Sequence, residues 1–275
     1  MGHEVVRVHE SDKATLSSIA ADGGKVYDFC LFNKWYNTPI LSRIKACPRV
    51  FWFWDLVASE DHSLAGITKP RQRWMKEVLP VVDLGFCTDG DWVAKDKTGK
   101  LVWLTQGADE RVFKHRPANV SDGSILFVGN SGMSGNGRKA FVQDMKAAYG
   151  DRFIHYEEGL YGTDLSEEVA KAAVVVAPDS PVTDRYWSNR VYGMLARWAF
   201  LLHPYSFGLA KQYTSDMELT YYTSREQLHS LIDAYSANSK ERERMAWKGY
   251  SATVERNTYR HRCEELVKTL KERLL

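Results

Sequence analysis

The feature that most constrains this chain is an alternation of short apolar segments and helix-like segments that occurs twice. β-branched and aromatic runs such as residues 26–32 and 49–55 alternate with helix-forming stretches, and after a polar stretch at 106–123 the pattern restarts. Runs such as 124–129 and 173–178 lack period-two alternation, which is typical of strands buried on both faces by crossover helices. The alternation predicts parallel sheets, and its restart predicts two Rossmann-like, doubly wound α/β domains.

The same patterns predict the individual elements. Predicted strands cover residues 5–8, 26–32, 49–55, 84–87, 100–104, 124–129, 152–156, 173–178, 200–204 and 219–222. Predicted helices cover residues 38–46, 69–79, 138–149, 164–172 and 188–198. After Thr223 the chain becomes helical: Thr223 and Glu226 form a capping-box pattern, Asn238 can begin a second helix, and a third runs from Thr258 to about Arg273.

The length of 275 residues fits two compact domains. We expect an N-terminal domain at residues 1–114 and a C-terminal domain at 115–257. A final helix at 258–275 is expected to cross back to the first domain.

Charge and cysteine usage narrow the class of protein. The 37 basic and 35 acidic residues leave a net charge of +2, which excludes histone-like chains and polybasic membrane binders. The four cysteines stand singly, which favours a reducing compartment. There is no apolar signal core, and the longest apolar run, residues 172–178, is too short for a membrane span. We therefore expect a cytoplasmic protein without a membrane span.

The glycine-rich stretch at residues 127–139 follows a predicted strand and opens a helix. It contains Gly129, Asn130 and Ser131, and the helix carries Arg138. Small residues let backbone N–H groups approach a phosphate, and the helix start and cations favour its negative charge. The alternative interpretation is a surface turn, because the pattern is neither a Walker A motif nor a strict GxGxxG.

A second candidate segment follows the predicted strand at 173–178. Ser188 can cap the next helix, which puts Asn189 and Arg190 in its first turn. A cation at the positive end of a helix is unfavourable, and an anionic ligand would resolve that conflict. The alternative is a structural salt bridge from Arg190 to Asp179 or Asp184.

The third candidate is Asp55, at the end of the most apolar strand of the first half. It could act as a general base, bind a sugar hydroxyl or simply cap a turn. Two further groups could contact ligands. Trp35, Trp52, Trp54 and Trp187 could stack on a sugar or a base, although a core position is the default for a tryptophan on a buried strand. The basic cluster Lys69, Arg71, Arg73 and Lys76 could follow a polyanion, although a solvated helix face is the favoured interpretation. No histidine has metal-type spacing, so a zinc site is not expected.

Four motifs in order resemble one known family. The segments at residues 187–192 and 195–205 resemble the group 1, CgeB-like C-terminal domain of GT-B glycosyltransferases. Residues 103–113 resemble the interdomain segment of that family, and residues 127–130 resemble the opening of its nucleotide-binding domain. The tail at residues 241–262 resembles the closing helices of the same family.

The resemblance implies two Rossmann-like domains that face a cleft, with a nucleoside-diphosphate sugar on the C-terminal one. The residues that it assigns to the donor are Gly129, Asn130, Ser131, Arg138, Ser188, Asn189 and Arg190. The acceptor then belongs to the N-terminal domain, with Asp55 as the candidate catalytic residue and Trp54, Arg71 and Arg73 as acceptor contacts. The resemblance implies no cofactor beyond the sugar nucleotide and no essential metal.

One position departs from the family pattern. The family often has a glutamate that binds the donor ribose where this chain has Gly193. Either Asp179 or Asp184 takes that role, or the donor is held differently, or the protein binds nucleotide sugar or nucleic acid without turnover. The acceptor also stays open between a modified base in DNA, as in phages, and a saccharide, lipid-linked glycan or protein.

Overall fold

The structure is a computed structural model that describes residues 27–33, 41–45, 47–59, 62–112, 121–132, 136–179 and 181–275. Its internal contacts form two compact units. The first comprises Met1–Ala58, Gly66–Leu104 and Val267–Leu275, and the second comprises Ser59–Ala65 and Thr105–Leu266. The strand predicted at 5–8, Trp35, part of the helix predicted at 38–46 and the boundary predicted at 114 lie outside the described residues, so that boundary stays a prediction.

The first unit contains a parallel sheet of four strands in the order β1-β2-β3-β4. Its elements are β1 (Cys30–Phe32), β2 (Arg49–Phe53), α1 (Ala65–Val78), β3 (Leu84–Cys87), α2 (Gly90–Val93) and β4 (Leu101–Trp103). Phe51 and Phe53 of β2 pack on Trp74 of α1, with ring centroids 5.7 and 5.3 Å apart. These buried aromatic contacts explain why the apolar run at 49–53 forms a strand beneath a helix.

The second unit contains a parallel sheet of five strands in the order β6-β5-β7-β8-β9. Its strands are β5 (Ser124–Val128), β6 (Phe153–Tyr156), β7 (Ala172–Val176), β8 (Leu201–Pro204) and β9 (Thr220–Tyr222). The chain passes from β5 outward to β6 and then returns to the other side of β5 as β7. The loops that follow β5 and β7 therefore diverge, and such a switch point is where doubly wound sheets bind ligands.

Helices cover this sheet and continue to the C-terminus. They are α3 (Asn136–Tyr149), α4 (Gly162–Lys171), α5 (Arg190–Leu195), α6 (Phe207–Ala210), α7 (Arg225–Ser236), α8 (Ser239–Arg256) and α9 (Tyr259–Arg273). The core beneath them includes Phe127, Met145, Val174 and Ile232, each fully buried. Burial on both faces is the physical reason for the uninterrupted apolar runs in β5 and β7.

The cap predicted at Thr223 is displaced by one residue. Ser224 is the N-cap of α7 and accepts the backbone N–H of Gln227, while the Thr223 hydroxyl donates to the Gln227 side chain. The helix therefore begins at a Ser224 cap, and the Gln227 side chain accepts the backbone N–H of Thr223, the residue before the cap. The predicted cap Asn238 is confirmed, because its side chain accepts the backbone N–H of Glu241.

Candidate functional site

The two loops at the switch point are joined by one arginine. Arg138 of α3 donates from Nε to the Pro178 carbonyl (3.2 Å), in the loop after β7. Its Nη1 donates to the Asn130 carbonyl (3.4 Å), in the loop after β5. The two carbonyls accept from only two of the five N–H groups that a guanidinium carries. Arg138 therefore holds both loops and leaves positive charge between them.

A second guanidinium, that of Arg190, lies beside the first loop. Its Cζ stands 5.4 Å from the centre of the Phe127 ring, a cation–π distance. A Cβ built on Gly129 would lie 2.5 Å from Arg190 Nη2, so only glycine leaves room for the arginine. The glycine after β5 and the arginine at the start of α5 thus form one packing unit, although they are far apart in sequence.

The Arg190 guanidinium is short of partners. Its Nη1 is buried without a hydrogen bond, and among the described residues it forms no salt bridge within 4.0 Å. Burial and the nearby charge of Arg138 together lower the pKa of Arg190 to about 10, although Asp179 opposes the shift. Arg190 still carries its proton at neutral pH, because that value lies well above 7. A buried, unpartnered cation beside a second cation is unfavourable by itself and favours a multiply charged anion.

The loop after β5 differs in one respect from the sequence expectation. The Gly129 N–H donates to the Tyr156 carbonyl (2.8 Å), and His155 Nε2 contacts the Gly129 carbonyl (2.9 Å). Both backbone groups of Gly129 are therefore used by the neighbouring strand. The Gly129 N–H is therefore already used within the sheet, because the ladder to β6 extends through it. The structure gives this residue a different task, which is to make room for Arg190.

Asn130 and Ser131 shape the loop. Asn130 Oδ1 accepts the Gly132 N–H (2.8 Å), which forms an Asx turn. The Ser131 hydroxyl donates to Glu157, after β6. Asn130 therefore stabilises its own loop, and Ser131 joins that loop to the one that follows β6.

The helix that carries Arg190 begins later than predicted. α5 starts at Arg190, its N-cap is Asn189, and the Asn189 side chain makes no capping bond. The Ser188 hydroxyl accepts the Arg190 N–H at 3.3 Å, which is the bond that the predicted cap would make. Asn189 is exposed and already has helical dihedrals, so it lies in the first turn with Arg190, as predicted.

A buried ion pair lies at the ends of β7 and β8. His203 Nε2 lies 3.1 Å from Asp179 Oδ2, and His203 Nδ1 lies 2.7 Å from the Pro204 carbonyl. The side chains are 1% and 7% exposed. Burial alone would raise the pKa of the Asp179 carboxyl, but His203, Arg190 and Arg138 lower it below the ordinary value. Both ring nitrogens of His203 therefore lie within hydrogen-bond distance of oxygen atoms.

The sequence analysis named Asp179 as a possible partner of Arg190 and did not pair it with His203. The available signal was topological. Both residues lie at the carboxyl ends of strands, and β7 and β8 are neighbours in the sheet. The alternative in which Arg190 bonds to Asp179 or Asp184 is not what the structure contains. Asp179 bonds to His203, and Asp184 accepts the Phe207 N–H at 3.3 Å.

Gly193, the departure from the family pattern, faces an arginine. Arg197 Nη1 donates to the Gly193 carbonyl (2.8 Å), and a Cβ at residue 193 would lie 3.5 Å from the same nitrogen. Arg197 Nε also donates to Ser166 (3.1 Å). A Cβ at residue 193 would therefore make only an ordinary van der Waals contact. Packing around the Cβ does not explain why this chain has glycine where the family often has glutamate.

In the first unit, Asp55 and Arg71 lie together. Arg71 Nη2 is 3.5 Å from Asp55 Oδ2, and Arg71 Nη1 donates to the Leu56 carbonyl. β2 ends at Phe53, so Asp55, predicted as the last residue of the strand, lies two residues beyond it and is exposed. Trp54 is 37% exposed. Arg73 is not part of this group, because it pairs with Glu77 one helical turn away.

Two of the candidate stacking tryptophans belong to the core. Trp52 is 4% exposed and donates to the Leu104 carbonyl, and Trp187 is 3% exposed and donates to the Tyr192 hydroxyl. Of the three candidate stacking tryptophans that the structure describes, only Trp54 is substantially exposed to solvent.

Sequence reasoning missed Asp89, which organises the loops beyond β2 and β3. Its carboxylate accepts the backbone N–H groups of Val57 and Ala58 at 2.7 and 2.6 Å, and those of Asp91 and Trp92 at 3.1 Å. Burial raises the pKa of Asp89, although the N–H bonds oppose the shift. The detectable signal was an Asp–Gly pair directly after a buried strand, which is typical of a helix cap.

A family model described as glycosyl transferase-like matches residues 120–268, more than half of the chain. The chain belongs to the glycosyl transferase-like family. It is a glycosyltransferase, and the matched region contains the switch-point loops and both arginines. The comparison with curated proteins gives no match.

Solved structures agree with this assignment at the level of fold. An alpha-glucosyltransferase solved with UDP-glucose and DNA containing an abasic site matches with TM-score 0.66 and 12% identity, over 95% of this chain and 84% of that one. HepE from Anabaena, solved with UDP-glucose, matches with TM-score 0.65 and 11% identity, over 94% of this chain and 81% of HepE. Sucrose-phosphate synthase from Thermosynechococcus elongatus matches with TM-score 0.67 and 15% identity, over 94% of this chain and 76% of the synthase. The chain has the GT-B fold of these enzymes, with two Rossmann-like domains.

Two further features concern membranes and metals. Within the described ranges, no helix is both long and apolar enough to cross a membrane. Over the same residues, no three metal-binding side chains converge.

Proposed function

We propose that this glycosyltransferase takes its sugar from a nucleoside-diphosphate sugar, and that Arg190 and Arg138 bind the donor diphosphate. The observation that supports this most directly is the buried Arg190 guanidinium, which has an unpartnered Nη1 and lies beside a second cation at the switch point. A diphosphate supplies the negative charge that this pair lacks. Gly129, Asn130, Ser131, Ser188 and Asn189 complete the proposed donor loops as residues that shape them.

The same arginines would act on the reaction itself. When the bond between sugar and diphosphate breaks, negative charge grows on the departing phosphate oxygens. Fixed cations in a partly dry site stabilise this charge without reorganisation, and one such donor typically contributes a factor of about 10²–10³ in rate. Donor binding and departure of the leaving group are then served by the same two residues.

A UDP-sugar is the donor that we propose to test first. HepE was solved with UDP-glucose, and so was the alpha-glucosyltransferase. UDP-glucose is bound by those two proteins, which are only 11–12% identical to this chain. Their ligand therefore serves here only to choose which donors to test.

For the acceptor, we propose a modified base in DNA. The supporting features are the partly exposed Trp54, the adjacent Asp55–Arg71 pair and the exposed cations Lys69, Arg73 and Lys76 on α1. A base that leaves the duplex needs an aromatic surface to stack on, and a cationic helix can contact the phosphates. In this proposal Asp55 accepts the proton of the attacking hydroxyl. The alpha-glucosyltransferase structure, which contains DNA, supports testing this acceptor.

The test measures sugar transfer by mass spectrometry from UDP- and GDP-sugars to three acceptors: DNA with hydroxymethylated bases, unmodified DNA and oligosaccharides. We expect transfer from a UDP-sugar to the hydroxymethylated DNA alone. Transfer to oligosaccharides alone would reject the DNA acceptor and leave the donor proposal standing. In a matched pair of variants, Trp54→Ala should raise the KM for acceptor about tenfold, whereas Trp103→Phe, on a strand of the same unit, should not.

Gly193 favours a second candidate, a protein that binds nucleotide sugar or DNA without turnover. It predicts measurable affinity for UDP-sugar or DNA and no product with any donor. Any transfer or donor hydrolysis that disappears in an Arg190 variant contradicts it.

We also infer that the reaction needs no metal ion, because two guanidinium groups are available to neutralise the diphosphate. Turnover should therefore be unchanged, within about twofold, after dialysis against EDTA. The measurement is the initial rate before and after dialysis, with and without added Mg²⁺ or Mn²⁺. A loss that Mg²⁺ or Mn²⁺ restores would show that the arginines do not suffice.

A further inference from the structure

Two of the four cysteines, which stand singly in the sequence, meet in the first unit. Cys30 lies in β1, and Cys47 lies two residues before β2. Both are free thiols and partly buried, and their Sγ atoms are 3.2 Å apart, within hydrogen-bond distance for sulfur. Cys87 lies on β3 and Cys263 on α9. The fold therefore makes a pair of cysteines that their spacing in the sequence does not indicate.

The backbone fixes the proximity of this pair. β1 runs parallel to β2 with Cys30 opposite Arg49, and the Cys30 N–H donates to the Pro48 carbonyl (2.9 Å). A disulfide has a sulfur–sulfur distance of about 2.05 Å, so two Sγ atoms at 3.2 Å must approach by only about 1.2 Å. Small rotations of the two side chains supply that movement, and the strands need not separate.

We propose that Cys30 and Cys47 are a redox modification site, at which a peroxide joins the two thiols in a reversible disulfide. One thiol takes an oxygen atom from hydrogen peroxide and becomes a sulfenic acid, and one water is released. The second sulfur then attacks the first: the S–S bond forms, the S–O bond breaks, and a second water leaves with the proton of the second thiol. Two electrons pass from the pair to the peroxide, and two equivalents of a small thiol return them when the disulfide is reduced.

The two sulfurs take different parts in this sequence. Burial, and then the hydrogen bond and charge of Cys47, raise the pKa of the Cys30 thiol well above its ordinary value. Cys30 therefore stays protonated at neutral pH, whereas the thiolate is the form that attacks an oxidant. We expect Cys47 to be oxidised first and Cys30 to resolve the sulfenic acid.

The cross-link fastens one edge of the first sheet. β1 is three residues long, and in the described sheet it has a strand partner on one side, β2. A short edge strand opens more readily than a central one. A disulfide holds Cys30 of this strand against the residues that enter β2, and it closes a loop that spans 17 sequence positions. Closing such a loop restricts the unfolded chain and so favours the folded unit.

The experiment treats the full-length wild-type protein with hydrogen peroxide, blocks the remaining thiols and digests the chain with trypsin without reduction. Trypsin places the two cysteines on separate peptides, residues 26–34 and 46–49. We expect these peptides to be joined as the main cross-link, lighter than their sum by the two thiol hydrogens, and to separate after dithiothreitol. Deuterium exchange at residues 30–32 should slow about tenfold or more on oxidation, because the edge strand opens less often.

Variants test the two roles. Cys30→Ser should leave a sulfenic acid on Cys47 that dimedone labels, whereas Cys47→Ser should leave Cys30 with little label. The control, Cys263→Ser, should form the same cross-link as the wild type. Thermal melts identify a folding defect in any variant, and the cross-link itself is measured on the wild type.

Three results would overturn the proposal. The first is that the two peptides stay separate although peroxide oxidises other thiols of the protein. The second is a main cross-link that involves Cys87 or Cys263, or that joins two chains on a non-reducing gel. The third is unchanged deuterium exchange at residues 30–32, which would show that the bond does not fasten the strand. More label on Cys30 than on Cys47 in the two variants would contradict the assigned order.

Discussion

Replacing Arg190 with methionine should lower turnover of the nucleotide-sugar donor about 10²–10³-fold without lowering the free energy of unfolding. The guanidinium is buried with an unpartnered Nη1 and is repelled by Arg138, so it costs stability in the absence of an anion. A methionine of similar length can pack on Phe127 without that cost, and such replacements of buried charges are often neutral or stabilising. Steady-state kinetics and urea unfolding on the same preparation measure both effects.

Two variants refine this expectation. Gly129→Ala should reproduce much of the loss in turnover, because its Cβ would lie 2.5 Å from Arg190 Nη2 and displace the guanidinium. Arg185→Met removes an exposed arginine from the same loop and should leave turnover within about twofold. Parallel losses of turnover and stability in Arg190→Met would show that the residue is structural, and the donor assignment would be withdrawn.

Replacing His203 with methionine should lower the free energy of unfolding by about 3–5 kcal/mol at pH 7, since it leaves the buried Asp179 carboxylate without its partner. The pair is 1% and 7% exposed, so water cannot substitute for the lost contact. Denaturant unfolding provides the measurement. His62→Met, at an exposed histidine, should change stability by less than about 0.5 kcal/mol.

The pH dependence of this loss has a definite sign. The wild-type pKa of Asp179 is lowered, so its contribution is present above the ordinary aspartate value of about 3.9 and is lost as pH falls through the folded value. In His203→Met the deficit should therefore narrow as pH approaches about 4, where Asp179 can be protonated. The double variant with Asp179→Leu should recover part of the stability. A deficit that is constant with pH would mean that His203 acts through packing alone.

Much of the fold was predictable because it depends on local patterns. β3 was predicted at the residues where it occurs, and β5 and β8 within one residue at an end. These strands are continuous apolar runs between turn-forming residues. The start of α7 was displaced by one residue, because Thr223 and Ser224 both carry a hydroxyl that can cap a helix and only the surrounding geometry chooses between them.

The candidate site was less predictable. Arg138 and Arg190 were predicted to share an anion, and whether they bind one stays a prediction. The contact of Arg190 with Gly129 joins residues on different elements, and so does the pairing of Asp179 with His203. Asp89 went unnoticed because its four N–H partners come from two loops.

The sequence by itself determined the two parallel α/β units, the family resemblance and the set of polar residues that follow the strands. These depend on periodicity and on short motifs, which are properties of neighbouring residues. Only the tertiary structure decided that Gly129 makes room for Arg190, that Arg190 is buried with an unpartnered Nη1, and that His203 takes the carboxylate of Asp179. The physical reason is that burial and charge pairing depend on which strand ends are neighbours, and the order of strands in a sheet is fixed by the packing of the whole unit.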